Sequence, residues 1–205
     1  MALSSGVPAA APADHGSGRI DPEAVHEPLT VAAYYRDVRA GVWGDRVPEL
    51  LDGVLADIMP PPDPWHTAVV YHLMAMLQEM LPTGWCLRKE DGLTLPRSVV
   101  MPDLAIVRGD YLDYTDANPT PADVSLVVEV AQTSQRRDRE KATLYAVAGI
   151  ATYLLVDLSS RELIVHTGPS AAGYDDVGLR EAVSIAIGDT PCGTLQSKAI
   201  FAPIR

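Results

Sequence analysis

Two carboxylates in this chain stand where carboxylates are costly. Val124-Ser-Leu-Val-Val-Glu-Val-Ala131 is short, β-branched and apolar, which is the pattern of a buried strand, and Glu129 interrupts it. A carboxylate that loses its water there must be compensated by a cation, a metal or hydrogen bonds. Upstream, Met101-Pro102-Asp103-Leu-Ala-Ile-Val107 opens a second apolar strand with Asp103, and Asp103, Ala105 and Val107 share a face by the period of two. Two carboxylates on neighbouring strands repel unless one is protonated or a cation lies between them, and a hard divalent ion takes oxygen ligands. Downstream, Lys141 and Tyr145 lie four residues apart, on one face of a helix read from Asp138 to Val147 with Gly149 as its cap. Leu144 and Val147 are expected to point inward. Thr152-Tyr-Leu-Leu-Val-Asp157 is a further buried strand, which completes a strand–helix–strand crossover.

The flanking elements must position these groups. Residues 1–28 are rich in Ala, Pro and Gly without hydrophobic periodicity, and read as a flexible tail ahead of a domain over 29–205. Thr30 is the expected cap of a helix over 31–40, with Val31, Tyr34, Tyr35 and Val38 as its apolar stripe. Asp52-Gly53 marks a hairpin within 47–59. Pro60 to Pro64 breaks the chain before a helix over 67–81 that presents Val69, Val70, Leu73, Leu77 and Leu81. Trp85 to Leu95 reads as a strand running into a turn at Asp91-Gly92, paired with 99–107. The long stretch 108–123 lies between the two carboxylate strands as either a surface excursion or a lid. Glu162 to Thr167 is a hairpin partner of 153–156, 169–178 reads as loop, and 182–187 and the segment around Ile200-Phe201 as further strands or sheet cover.

Composition narrows the function classes. No apolar run is long enough to span a bilayer, and the first residues lack the cationic start of a signal peptide, so a cytoplasmic protein without a membrane partner is expected. Cys86 and Cys192 are far apart and show no zinc or disulfide spacing. A net charge of −11 argues against a chain devoted to holding nucleic acid, although Arg136, Arg137, Arg139 and Lys141 form a local cationic cluster beside the carboxylates. The chain has no phosphate-cradling Gly loop, GxSxG or HExxH.

The order Pro102-Asp103, Glu129, Asp138, Lys141, Tyr145, Gly149 and Tyr153-Leu-Leu-Val-Asp157 resembles the Uma2 family (DUF820), which belongs to the PD-(D/E)XK, restriction-endonuclease-like nucleases. The likeness also takes in Glu49-Leu-Leu-Asp-Gly53 and Pro60-Pro-Pro-Asp-Pro-Trp-His66, and spans roughly residues 29 to 167. It implies an α/β fold with a mixed central β-sheet flanked by helices. It also implies Mg²⁺ (or Mn²⁺) held by Asp103, Glu129 and the backbone carbonyl of Val130, with Lys141 and Tyr145 assisting catalysis. Glu49, His66 and Glu90 are supporting candidates. Hydrolysis of phosphodiester bonds in DNA by a homodimer is the implied activity. The chain departs from the pattern in two places. Ala131 stands where the superfamily's usual lysine follows the Glu, and Gln132-Thr-Ser-Gln replaces the family's Ser-Pro-Ser. A degenerate nuclease fold acting as a dimeric or partner-binding module, and a metal-dependent hydrolase of a small phosphate, are the rival readings.

Overall fold

The computed structural model describes residues 27–56, 63–132 and 135–202, with the side chains of 135–139 left aside. The expected tail therefore lies almost wholly outside the described residues, as does most of the proline run.

In chain order the elements are α1 (Val31–Arg39), β1 (Leu50–Leu51), β2 (Val54–Leu55), α2 (Pro64–Gln78), β3 (Trp85–Lys89), β4 (Leu93–Thr94), β5 (Val99–Val100), β6 (Leu104–Arg108), β7 (Val124–Ala131), α3 (Gln135–Val147), β8 (Thr152–Asp157), β9 (Glu162–Ser170), β10 (Gly173–Leu179), β11 (Ala182–Ile187), β12 (Thr190–Gln196) and α4 (Ser197–Phe201). Six strands form the central sheet in the order β10-β9-β8-β7-β6-β3. Only β7 and β8 run parallel, because α3 carries the chain back between them, and the other neighbours are antiparallel. This is the expected mixed α/β sheet flanked by helices. A second sheet, β2-β1-β5-β4, and the hairpin β11-β12 complete the strands.

The sheet is buried on both faces, so β7 reads as a nearly unbroken apolar run. One face, with Val128, Val130, Leu154, Val156 and Leu163, packs on Val69, Val70, Leu73 and Leu77 of α2 and on Ile185, Leu195 and Ile200. The other, with Ala105, Val107, Val127 and Tyr153, packs on Tyr145 of α3 and on Leu93 and Val100. Tyr34, Leu50 and Val99 hold α1 to the second sheet.

Several local expectations change. Pro64 does not break the chain but opens α2: Asp63 caps it by accepting the N–H groups of Trp65 and His66 at 2.7 and 2.9 Å. Proline suits the first helical position, where its missing N–H has no partner to lose. The expected strand 99–107 is two strands. Residues 101–103 carry the chain from the second sheet into the central one, and Asp103 lies at that crossing. Val147 is exposed (58%), because Lys141, Tyr145 and Ala146 take the inward face of α3. The expected loop 169–178 is a hairpin instead, in which β9 runs on to Ser170 and pairs with β10. Its polar residues hid the period because its outer face meets water. Residues 200 and 201 belong to the short helix α4, whose Ile200 and Phe201 cover the sheet. The segment 108–123 joins the end of β6 to the start of β7, at the opposite end of the sheet from Asp103 and Glu129, so it is not a lid over them. No described helix is long and apolar enough to cross a membrane.

Candidate active site

The register of the sheet creates the site. Leu104 pairs with Val128 in the antiparallel β6–β7 ladder, so Asp103 and Glu129 come to adjacent positions at one end of the sheet. The Val130 N–H donates to Asp103 Oδ2 at 2.7 Å and fixes that carboxylate against β7. Val130 was expected to contribute its carbonyl; the contact seen here is made by its N–H.

Glu129 lies on the α3 face and is buried (7% exposed). Its Oε1 accepts from Lys141 Nζ at 2.8 Å and from Tyr145 Oη at 2.8 Å. The one-turn spacing of Lys141 and Tyr145 therefore delivers both donors to a single oxygen. Lys141 Nζ also lies 3.0 Å from Glu49 Oε1, and that oxygen accepts the Met101 N–H at 2.7 Å. Glu49, immediately before β1, thus ties the second sheet to both α3 and the crossing at residues 101–103. Burial alone would push the Lys141 ammonium down. The carboxylates of Glu129 and Glu49 reverse this and raise it above its ordinary value. Burial pushes the Glu129 carboxyl up to about 7 against the pull of Lys141, and the charges of Asp103 and Glu49 add to the rise. The Tyr145 hydroxyl is raised by burial and by the neighbouring Glu129 charge, so it serves as a donor.

His66 joins from the opposite helix. Its Nε2 lies 3.3 Å from Asp103 Oδ2, and its Nδ1 is buried with no hydrogen-bond partner among the described residues. The hydrogen bond to Asp103 raises the imidazole pKa against the opposing effect of burial. The Asp63 cap and Pro64 fix the first turn of α2, and so place this ring. The sequence pattern sets a break at Pro60 to Pro64 and a helix start at Thr67, and so misses the Asp63-Pro64 start.

The structure thus brings Asp103, Glu129, Val130, Lys141, Tyr145, Glu49 and His66 together. Glu90 stays apart. Its N–H meets the carbonyls of Pro102 and Asp103, but its half-exposed carboxylate pairs with Lys89 Nζ at 2.7 Å. A positive φ of 52° at Glu90 makes it a turn residue. The Met101 N–H was not anticipated, and no sequence signal marks it. Of the expected cationic cluster, Lys141 is turned inward. Arg136, Arg137 and Arg139 begin α3, and their side chains lie outside the described set.

Among the described residues no three His, Cys, Asp or Glu side chains form a closed metal cage. The donor set fits a different kind of ion. Mg²⁺ retains several waters and uses one or two carboxylates, and Asp103, Glu129 and the Val130 backbone supply that much. Nδ1 of His66 is buried without a hydrogen-bond partner among the described residues.

Comparison with known proteins shows a family and a fold. A family model, Uma2, described as "Putative restriction endonuclease", matches residues 45–191. A crystal structure from Anabaena variabilis ATCC 29413, titled as a "putative nuclease belonging to DUF820", is similar in fold at a TM-score of 0.60 and 13% identity, covering 77% of this chain and 91% of that one. No curated protein matches.

Proposed function

The chain belongs to the Uma2 family of restriction-endonuclease-like proteins, and from that premise we propose that it is a metal-dependent endonuclease that hydrolyses phosphodiester bonds in DNA. Asp103, Glu129 and the Val130 carbonyl would hold Mg²⁺ or Mn²⁺. When bound, the ion supplies an acidified water and neutralises charge on the phosphate.

The chain's own residues do the rest. The Val130 N–H holds Asp103 in place. Tyr145 donates to Glu129 and sets the direction of its carboxylate. The observation that carries the reading is the reach of Lys141. Ala131 stands where the superfamily's lysine is usual, yet the Lys141 ammonium arrives from α3 within 2.8 Å of Glu129. A preorganised cation at this point would orient the attacking water and stabilise charge on the phosphate. Glu49 holds the same ammonium from its other side and keeps it in position. A homodimer would present two such sites to one duplex.

Supercoiled plasmid incubated with the protein and Mg²⁺ or Mn²⁺ tests this. Nicking or linearisation that needs the ion and falls about 100-fold or more in Asp103→Ala and Lys141→Ala is expected, the scale of losing a preorganised electrostatic group. Cleavage that survives Asp103→Ala would overturn the assignment. Cleavage of RNA alone would correct the substrate.

A further inference from the structure

His66 is the polar side chain at the site that the reading above leaves without a task. It is held with some care. Asp63 caps the first turn of α2 through the N–H groups of Trp65 and His66, and Pro64 fixes the backbone there. The side chain is largely buried (15% exposed). Its ring faces Asp103 and the backbone of Val130, two of the groups already assigned to the ion.

The two ring nitrogens differ: Nε2 faces Asp103 and the Val130 backbone, and Nδ1 has no hydrogen-bond partner among the described residues. Nε2 is 3.3 Å from Asp103 Oδ2, whereas a charge-assisted N–H···O contact between imidazolium and carboxylate closes to about 2.7–2.9 Å. Two donors that share one cation stand further apart. At metal–donor lengths of about 2.1 Å they are separated by about 3.0 Å at a right angle and about 3.4 Å at the tetrahedral angle. The observed spacing is one that two ligands of a single ion also take.

We infer that His66 is a ligand of the bound cation, alongside Asp103 and the Val130 backbone, and that it turns the site from Mg²⁺ toward a first-row divalent transition ion. This rests on the proposal of a metal-dependent site. Imidazole is a poor match for Mg²⁺, which takes oxygen, and a good one for borderline transition ions. Glu129 Oε1 accepts from Lys141 and Tyr145, and beside it and Asp103 His66 would supply what the carboxylates alone do not: a nitrogen in the coordination sphere.

Pulsed EPR of the full chain, stripped of metal and loaded with Mn²⁺, reads this directly and requires no activity. The expected result is a directly coordinated nitrogen in the wild-type spectrum that disappears in His66→Gln. In parallel, the ratio of Mg²⁺ to Mn²⁺ dissociation constants, measured by competition, falls at least tenfold in the variant. The wild-type spectrum decides the main point even if the variant folds poorly, and His66→Asn is the second substitution. Bound Mn²⁺ with oxygen ligands only would overturn this inference and leave the metal-dependent reading standing. A nitrogen signal that persists in folded His66→Gln would overturn it too. Failure to bind Mn²⁺ or Mg²⁺ at millimolar concentration would overturn both.

Discussion

Two clusters of buried polar groups share the α3 face of the central sheet and are built on opposite principles. At one, Glu129, Lys141 and Glu49 bury charges against one another, with Tyr145 donating to the central carboxylate. At the other, His166 is buried between the rings of Tyr153 and Tyr174, with centroids at 4.7 and 5.5 Å, and burial lowers its pKa. Tyr145 links them: its hydroxyl belongs to the first cluster, and its ring lies 5.2 Å from that of Tyr153. The aromatic cluster follows the usual solution for a titratable group in a core, which is to keep it neutral. The carboxylate cluster does not. Holding ions out of water is rarely the most stable choice, so the difference marks where structure serves something other than stability.

Breaking the charged cluster should therefore cost most. Lys141→Met removes the ammonium that two carboxylates face and leaves Glu129, among the described residues, with Tyr145 as its side-chain donor. Urea unfolding at pH 7.5 should show a loss of about 3–5 kcal/mol, the scale for removing one member of a buried pair. A loss below about 1 kcal/mol would mean that water or protonation of Glu129 relieves the site. Tyr145→Phe keeps the ring against Tyr153 and deletes only the donor to Glu129. It should cost about 1–3 kcal/mol, as for a hydrogen bond to a charged group. The double variant should lose less than the sum, because both donors serve one oxygen and Glu129 can protonate once both are gone.

The sequence revealed the charged cluster more readily than the scaffold around it. Glu129 was conspicuous because a lone carboxylate in an apolar strand has few innocent explanations, and β7 and β8 run over the expected residues. Helical spacing put Lys141 and Tyr145 on one face, and the family resemblance assigned them to the site. The partition of strands between two sheets was not legible. Residues 99–107 read as one apolar strand, because nothing local distinguishes a strand that stays in its sheet from one that leaves it at Pro102. The inward face of α3 was misjudged for a related reason: a functional lysine occupies an inward position, so the apolar period pointed to Val147 instead. Contacts made by backbone groups, such as those of the Met101 and Val130 N–H, carry no residue signature at all.

The aromatic cluster provides the smallest and most selective test. His166 is neutral and buried in the fold, and its pKa lies below the value of about 6.5 expected in the unfolded chain. Above that value both states are neutral at this position and it adds no pH dependence. As pH falls through 6.5 toward the lower folded value, the unfolded chain takes up a proton that the folded chain does not, and stability declines by up to about 1.4 kcal/mol per pH unit. His66 has the opposite sign, since Asp103 raises its pKa in the fold, so its contribution is complete below 6.5 and is lost at higher pH. His166→Phe keeps a ring between Tyr153 and Tyr174 and removes the titration. The expected result, in metal-free buffer, is an unfolding free energy that flattens between pH 6.5 and 5.5 in the variant relative to wild type. An unchanged slope would mean that His166 takes up its proton inside the fold as readily as outside it, and the contrast between a cluster that keeps its charges and one that refuses them would fail on its neutral side.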